Sequence, residues 1–315
     1  MLARLRLNHG LTNLLTFHHS RLRLTIHTCK MNNTEITAPE FRKAVEAMDT
    51  GDLPAIQQLL EKNPGLAGQR LDQPTEGYFT RPYLLWFIAD NPIRYGSRPK
   101  NIPEITSLII RFIRQHFPET LQEQLDYALG LVATGKIPRE SGVQIELIDL
   151  LIDEGAKPGN GHGAIANGNP EAARRLIERG GTMTLTTAIG IESHDDFVRL
   201  LKSATDVDKK IALTAAAFLG KPEMTRSLIA AGADVNGFLE RSSGFHSHAT
   251  ALHQAVWSQS LEAVKLLVEA GASLDAKDRI YEGTPLDWAN YLKRDEKNEL
   301  RRKKFEEIEQ YLEGK

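Results

Sequence analysis

The sequence predicts an all-α protein built from stacked helix pairs. A six-residue phrase occurs twice, 34 residues apart, as Thr-Ala-Leu-His-Gln-Ala at 250–255 and Thr-Pro-Leu-Asp-Trp-Ala at 284–289. Between the copies, residues 261–270 carry apolar side chains at helical spacing and are followed by Gly271, which suits the left-handed residue that ends a helix. Such a unit cannot bury its apolar face alone, so neighbouring units must stack.

Each copy of the phrase reads as the start of a helix. Its Thr can cap the unpaired amides of the first turn, and Pro285 is preset for that turn. The Leu of each copy is expected to be buried, and the Ala is small enough for close packing. The helix pairs and turns around these copies should therefore repeat along the chain.

Weaker versions of the same pattern predict further helix pairs towards the N-terminus. The predicted helices, in order, are 41–48, 53–62, 83–90, 103–116, 121–134, 143–154, 170–179, 197–202, 211–220 and 222–231. Together with the two copies, they give seven or eight pairs. The central units are short, because the glycines that end their second helices, Gly155 and Gly180, are only 25 residues apart. The glycine-rich stretch 159–163 predicts that one first helix is brief, since interior Gly disfavours a helix by about 1 kcal/mol.

The C-terminal segment 293–315 reads as a capping helix with a polar outer face. Its charged run is followed by Phe305, Ile308 and Leu312 at helical spacing. Acidic residues are interleaved with the basic ones, which indicates a solvated face instead of a nucleic-acid-binding patch.

The repeated phrase, the helix pairs and the Gly endings resemble the ankyrin repeat. The resemblance covers residues 35–315 and is clearest over 209–292. It implies an ankyrin-type solenoid with shortened central repeats, whose function is to bind another protein through its concave helix face and projecting loops. No cofactor is implied, and no enzyme activity is expected.

Composition and charge limit the other classes of function. Hydrophobic residues make up 41% and charged residues 25% of the chain, which is typical of a folded soluble protein. No apolar stretch approaches the roughly 18 residues of a membrane span. The single Cys29 excludes an intrachain disulfide and favours a reducing compartment. We therefore expect a cytoplasmic, monomeric protein of bacterial style that neither binds nor spans a membrane.

The N-terminal segment is basic because it lacks acidic residues. Residues 1–34 contain five Lys and Arg, four His and no acidic residue, whereas the remainder carries 34 basic against 41 acidic residues. The acidic balance of the remainder argues against binding nucleic acid. The leader itself has two interpretations: it is a transit peptide, or Met31 is the true start and the leader is a disordered tail or an annotation artefact.

The resemblance places one group of candidate binding residues on the concave face. Counting from the buried Leu of the three clear units, the fifth following residue is Phe218, Trp257 or Tyr291. Stacked units about 10 Å apart would align these rings in a column. Aromatic side chains often dominate protein interfaces, although they could equally fill space between adjacent helices.

Three long loops, residues 65–81, 237–249 and 273–283, supply the other candidates. In ankyrin repeats, loops at these places project as fingers beside the groove. Arg and aromatic side chains in such loops suit a peptide backbone or a partial negative charge. The candidates in the loops are Tyr78, Arg81, Arg241, Phe245, His246, His248, Arg279 and Tyr281.

The loop histidines also suggest an alternative, a small-ligand or metal-dependent enzyme whose site is formed by loops 237–249 and 273–283. His246, His248 and His253 lie within eight residues, but no Cys and no convincing carboxylate accompanies them, and zinc sites need three or four converging ligands. In the family, the fourth residue of the phrase, here His253, holds a turn by hydrogen bonding. A purely structural or self-associating array is a third possibility.

Overall fold

The computed structural model describes residues 35–72, 78–240 and 245–315 of the chain. The predicted basic leader, residues 1–34, and the candidate Arg241 lie outside these ranges. The chain divides into two compact units, one up to Thr182 and the other from Met183 onwards. Each unit is described by itself below.

The prediction of an all-α fold is confirmed. The described residues form helices and contain no β-strand. The helices of the first unit are α1 (Pro39–Thr50), α2 (Leu53–Lys62), α3 (Gly65–Gly68), a 3-10 helix (Leu84–Ala89), α4 (Ile102–His116), a 3-10 turn (Pro118–Thr120), α5 (Leu121–Thr134), α6 (Lys136–Glu140), α7 (Gln144–Asp153), α8 (His162–Ala166) and α9 (Pro170–Glu178).

The first unit stacks helix pairs in two layers. Its first layer contains α1, the 3-10 helix, α5 and α8, and each member packs on the next. The second layer contains α2, α4, α7 and α9, which also pack in chain order. The brief α8 has five residues, as expected where glycines weaken a helix.

The predicted helix at 83–90 is a 3-10 helix in the structure, and it forms the centre of the first unit. All six of its residues are buried. The Trp86 ring stacks on Tyr127 with centroids 4.0 Å apart, and Phe87 packs edge-to-face on Phe41 at 5.5 Å. With three residues per turn, the six side chains form three rows around the helix axis, and the surrounding helices bury all three rows.

A buried group of four charged side chains holds the loop that follows this 3-10 helix. Asp49 of α1 accepts hydrogen bonds from Arg94 at 2.8 Å and from Arg98 at 2.6 Å. Asp90 accepts the backbone N–H groups of Arg94 and Gly96 at 2.9 and 2.7 Å. Two positive and two negative charges thus neutralise each other inside the first unit.

The second unit contains eight helices arranged in four successive pairs within its described residues. They are α10 (Leu185–Gly190), α11 (His194–Leu201), α12 (Asp206–Phe218), α13 (Pro222–Ala230), α14 (Ala251–Trp257), α15 (Leu261–Glu269), α16 (Pro285–Asp295) and α17 (Glu299–Glu313). The first helices α10, α12, α14 and α16 pack side by side, and α13, α15 and α17 form the layer behind them.

Local sequence explains where these helices begin and end. Thr205 and Thr284 each cap a helix in a capping box with the acidic residue three positions later. Gly232 and Gly271 follow second helices with φ of 80° and 89°, a left-handed conformation that glycine adopts without strain. One continuous core of buried apolar side chains then joins the four pairs.

The predicted capping segment, residues 293–315, includes the end of α16 and the whole of α17. Phe305, Ile308 and Leu312 of α17 are buried, whereas Leu300 is 70% exposed. In the part of the chain that the structure describes, no helix is both long and apolar enough to cross a membrane.

Candidate binding face in the second unit

The loop at residues 273–283, called the finger here, is organised around the buried carboxylate of Asp278. Its Oδ1 accepts the backbone N–H groups of Ile280 at 2.9 Å and Tyr281 at 2.7 Å. Its Oδ2 accepts the N–H of Gly283 at 3.1 Å and the indole N–H of Trp288 at 3.0 Å. Three of these donors lie inside the finger and shape it, and the fourth, Trp288, attaches the finger to α16.

The finger is also joined to α14 through the fourth residue of the first phrase. His253 Nδ1 accepts the N–H of Thr250 at 3.3 Å, and Nε2 lies 3.0 Å from the carbonyl oxygen of Gly283. Because Nδ1 accepts this hydrogen bond, the proton of the neutral ring is on Nε2, whose N–H donates to the carbonyl of Gly283. A side chain at Gly283 would approach the Asp278 carboxylate and the Trp288 ring to 3.3 Å, so glycine suits this close contact.

The three imidazoles of this region are held in their neutral form. Burial lowers the pKa of His246 to about 4, and it also lowers the pKa values of His248 and His253. All three rings lie against the indole of Trp288, with centroids 5.0 to 6.2 Å away. Packing against an apolar ring removes water that would stabilise an imidazolium, and this explains why the pKa values are lowered. Burial raises the pKa of Tyr281 for the same reason.

The end of the loop 237–249 lies against the ends of two first helices. The ring of Phe245 packs edge-to-face on Phe218, the last residue of α12, with centroids 5.5 Å apart. The ring of His246 lies 5.4 Å from Phe218 and 5.2 Å from Trp257, the last residue of α14. The chain's own side chains therefore lie between two rings of the predicted column.

The tip of the finger presents an arginine and an apolar side chain to solvent. The Arg279 guanidinium carbon lies 4.2 Å from the centre of the Phe238 ring. The Arg279 backbone N–H donates to the carbonyl of His248 at 2.7 Å, which joins the two loops. Next to it, Ile280 is 54% exposed.

The other sequence-predicted residues have different surroundings. Tyr291 is buried in α16 with Arg294 over its ring, while Phe218 and Trp257 are partly exposed. Tyr78 and Arg81 belong to the first unit and not to this face. The Tyr78 hydroxyl donates to Asn91 at 2.6 Å, and the exposed Arg81 pairs with Asp72.

The predicted finger 65–81 also differs from a simple projecting loop. It begins with the short α3, and Phe79 is buried against Phe87 with ring centroids 5.0 Å apart. An aromatic ring in a loop can pack inside its own protein or against a bound partner, because removing the ring from water is favourable in both cases.

The loop histidines do not form a three-ligand metal cluster in the ranges that the structure describes, where no group of three or more His, Cys, Asp or Glu side chains is suitably placed. His246 Nδ1 and His248 Nε2 are buried and make no hydrogen bond with any residue in the described part of the chain. His253 instead has the turn-holding contact described above.

Sequence reasoning missed Asp278, Phe238 and Ile280. The available signal for Asp278 was its position five residues before Gly283 in a loop, because Asp often accepts backbone N–H groups of the following residues. No local pattern indicates that the Phe238 ring lies under Arg279.

A family model described as ankyrin repeats in three copies matches residues 140–278. No curated protein matches the chain. Among solved structures, the human ASB11 ankyrin repeat domain is 16% identical, with a TM-score of 0.32 over 85% of this chain and 95% of that chain.

An ankyrin repeat domain from Acinetobacter baumannii AYE is 24% identical, with a TM-score of 0.33 over 60% of this chain and 97% of that chain. The ankyrin repeat domain of Bcl-3 is 18% identical, with a TM-score of 0.29 over 78% and 92%. These TM-scores lie below 0.5, so the family assignment depends on the family model. Residues 140–278 of this chain match the ankyrin repeat family, and this match supports an ankyrin repeat protein.

Proposed function

We propose that this chain binds another protein through the second unit, using the finger and the adjoining loop 237–249. Ankyrin repeats are generally protein–protein interaction modules and are typically non-enzymatic. The observation that supports this face most is the exposed pair Arg279 and Ile280 on a finger that Asp278 holds rigid.

Rigidity of the finger favours binding because little conformational freedom is left to lose. The backbone of the finger is fixed by Asp278 on one side and by the Arg279-to-His248 hydrogen bond on the other. Side chains presented by such a loop need only minor adjustment when a partner arrives.

The chemistry of the tip suggests what the partner presents. Stacking on Phe238 orients the Arg279 guanidinium, and a planar guanidinium binds a carboxylate or backbone carbonyls through several N–H groups. Ile280 would lie against an apolar side chain of the partner. We propose a partner segment that has an acidic or carbonyl-rich position beside an apolar residue.

The proposal also covers the remaining candidate residues, the extent of the domain and the oligomeric state. The binding face includes Phe218, Trp257, Tyr291 and the loop residues Arg241, His248 and Tyr281. The predicted Phe245 and His246 lie over the rings of this face, and Tyr78 and Arg81 provide a separate contact in the first unit. We propose that residues 35–315 form the ankyrin repeat domain, with 1–34 as a leader outside it, and that the protein is a cytoplasmic monomer.

Affinity capture with purified full-length bait tests this proposal. The test variant replaces Arg279→Ala and Ile280→Ser, and the control replaces Val198→Ser on α11, another exposed apolar residue of the same unit. We expect a partner that co-purifies stoichiometrically with wild type and with the control, but at least tenfold less with the test variant. Equal recovery with all three baits would contradict the proposed face.

A second comparison separates packing from recognition at the column. The variant Trp257→Ala is compared with wild type in melting temperature and in partner recovery at low temperature. A lower melting temperature with unchanged recovery assigns Trp257 to packing alone. An unchanged melting temperature with lost recovery assigns it to the binding face.

A further inference from the structure

Residues 245 and 246, called the strap here, lie where a ligand of the helix face would lie. Phe245 and His246 contact Phe218 at the end of α12, and His246 also contacts Trp257 at the end of α14. Phe245 is only 5% exposed. The space between Phe218 and Trp257, two rings of the predicted column, is thus filled by the chain itself.

The strap follows the recognition pattern of a bound peptide. Two successive side chains enter edge-to-face contacts with rings of the face. The main-chain carbonyl of His246 accepts the side-chain amide of the buried Gln254 at 3.0 Å, and it also accepts the backbone N–H of Ala249 at 3.1 Å in a turn. Ring contacts and main-chain hydrogen bonds are interactions by which peptide segments bind grooves.

The polar groups of the strap are incompletely satisfied in this position. His246 Nδ1 and the facing Gln254 Oε1 are buried and have no hydrogen-bond partner among the residues that the structure describes. Buried polar atoms that lose water without gaining a partner oppose the arrangement. The free energy that holds the strap against the helix face is consequently smaller than its apolar contacts alone would provide.

We propose that the strap is an internal occupant of the binding face, and that a partner segment carrying an aromatic side chain displaces it. This inference rests on the proposed function, which it extends to regulation and to partner chemistry. The displacing segment has an aromatic ring in the place of Phe245, a second ring or imidazole beside Trp257, and a main-chain carbonyl for Gln254.

Competition by the strap sets the apparent affinity of the face. A segment tethered next to its own site is present at a high effective concentration, typically in the millimolar range. A partner then sees only the open fraction, so its dissociation constant rises by the inverse of that fraction. Removing the strap's rings should therefore strengthen binding by the same factor.

The strap sequence itself is the probe that tests this inference. A synthetic peptide with the sequence of residues 245–250 is titrated into the double variant Phe245→Ser, His246→Ser and into wild type. Binding is followed through NMR shifts of the indole N–H groups. We expect the dissociation constant for the double variant to be at least tenfold lower than for wild type.

Two controls make the titration specific. A peptide with Ser in place of Phe245 and His246 should not bind the double variant, and adding Trp257→Ala to that variant should abolish binding of the original peptide. Equal binding of the original peptide to both proteins, or no binding to the double variant, would overturn the proposal. Should the double variant fail to fold, the same criteria apply to Phe245→Leu, which keeps apolar volume without the ring.

The captured partner provides an independent arm. The double variant should retain the partner at least tenfold more tightly than wild type, and weaker retention would show that the strap is a contact surface and not a competitor. Failure of the proposed function would appear as absence of any captured partner, whereas the peptide titration needs none and reports on the strap alone.

Discussion

The indole N–H of Trp288 donates a hydrogen bond to the buried carboxylate of Asp278 at 3.0 Å. This bond joins the finger to the helix that begins the next repeat. Because the same carboxylate accepts three backbone N–H groups, one side chain determines both the shape of the finger and its attachment.

Asp278→Ala should therefore destabilise the second unit and loosen the finger. Removing the acceptor leaves the Trp288 N–H buried without a partner, which costs about 1–3 kcal/mol, and the lost backbone bonds add to this. We expect a loss of about 2–4 kcal/mol in urea unfolding. Faster amide exchange at Ile280, Tyr281 and Gly283 should accompany it.

The exposed Asp275 of the same finger gives the matched control. Asp275→Ala should change the unfolding free energy by no more than about 0.5 kcal/mol. Similar losses for the two variants would show that Asp278 does not organise the finger.

The two copies of the repeated phrase should respond differently to alanine at their fourth residue. His253 is buried and joins Thr250 to Gly283, whereas Asp287 is exposed and caps only its own helix through Thr284. We expect His253→Ala to cost about 2–4 kcal/mol, since it leaves a buried carbonyl and a cavity. Asp287→Ala should cost about 1 kcal/mol. Thermal or urea denaturation of both variants ranks them, and the reverse order would contradict the assigned contacts.

The buried charges of the first unit predict a large effect at Asp49. Asp49→Ala leaves the side chains of Arg94 and Arg98 without their shared carboxylate, and breaking a buried ion pair costs about 3–5 kcal/mol. Asp153→Ala breaks an exposed ion pair with Arg179 in the same unit and should cost no more than about 1 kcal/mol. Guanidinium unfolding followed by far-UV circular dichroism measures both, and equal effects would mean that the Asp49 group contributes no more than a surface pair.

Acid should weaken the second unit through His246. Its pKa is about 4 in the folded protein and about 6.5 when unfolded, so the unfolded chain binds more protons between these values. The contribution of neutral His246 is fully present above pH 6.5 and is lost as the pH falls from 6.5 towards 4. It amounts to at most about 3 kcal/mol.

The variant His246→Phe should reduce the pH dependence, because it has no group to protonate. His194→Gln, which changes an exposed histidine of the same unit, is the control and should follow wild type. Unfolding free energies at pH 7 and pH 5 are compared for the three proteins. A pH dependence of His246→Phe equal to that of wild type would contradict the neutral, buried state.

Helix pairs could be predicted from the sequence where local signals agree. Residues such as Thr284, Pro285 and Gly271 carry the start and end of a helix in their own chemistry, so the later units were predicted closely. The 3-10 helix at 84–89 was predicted as an ordinary helix, because a short apolar run does not specify how tightly it winds.

The binding face was harder to predict because its contacts join distant parts of the chain. The predicted column took Phe218 and Trp257 to be available, yet the strap packs on both. The sequence signal was an aromatic residue, Phe245, in an otherwise polar loop. The sequence does not show whether such a ring is exposed to a partner or packs on the chain's own helices. The Asp49 group was missed for the same reason, since its two arginines lie 45 and 49 residues away.

Site-specific photo-crosslinking to the captured partner tests the central claim most directly. A photoreactive residue is placed at Ile280 on the finger in one protein and at Val198 on α11 in another. We expect a covalent adduct with the partner from position 280 and none from position 198. Adducts from position 198 alone, or equally from both, would contradict a binding face formed by the finger and the adjoining loop.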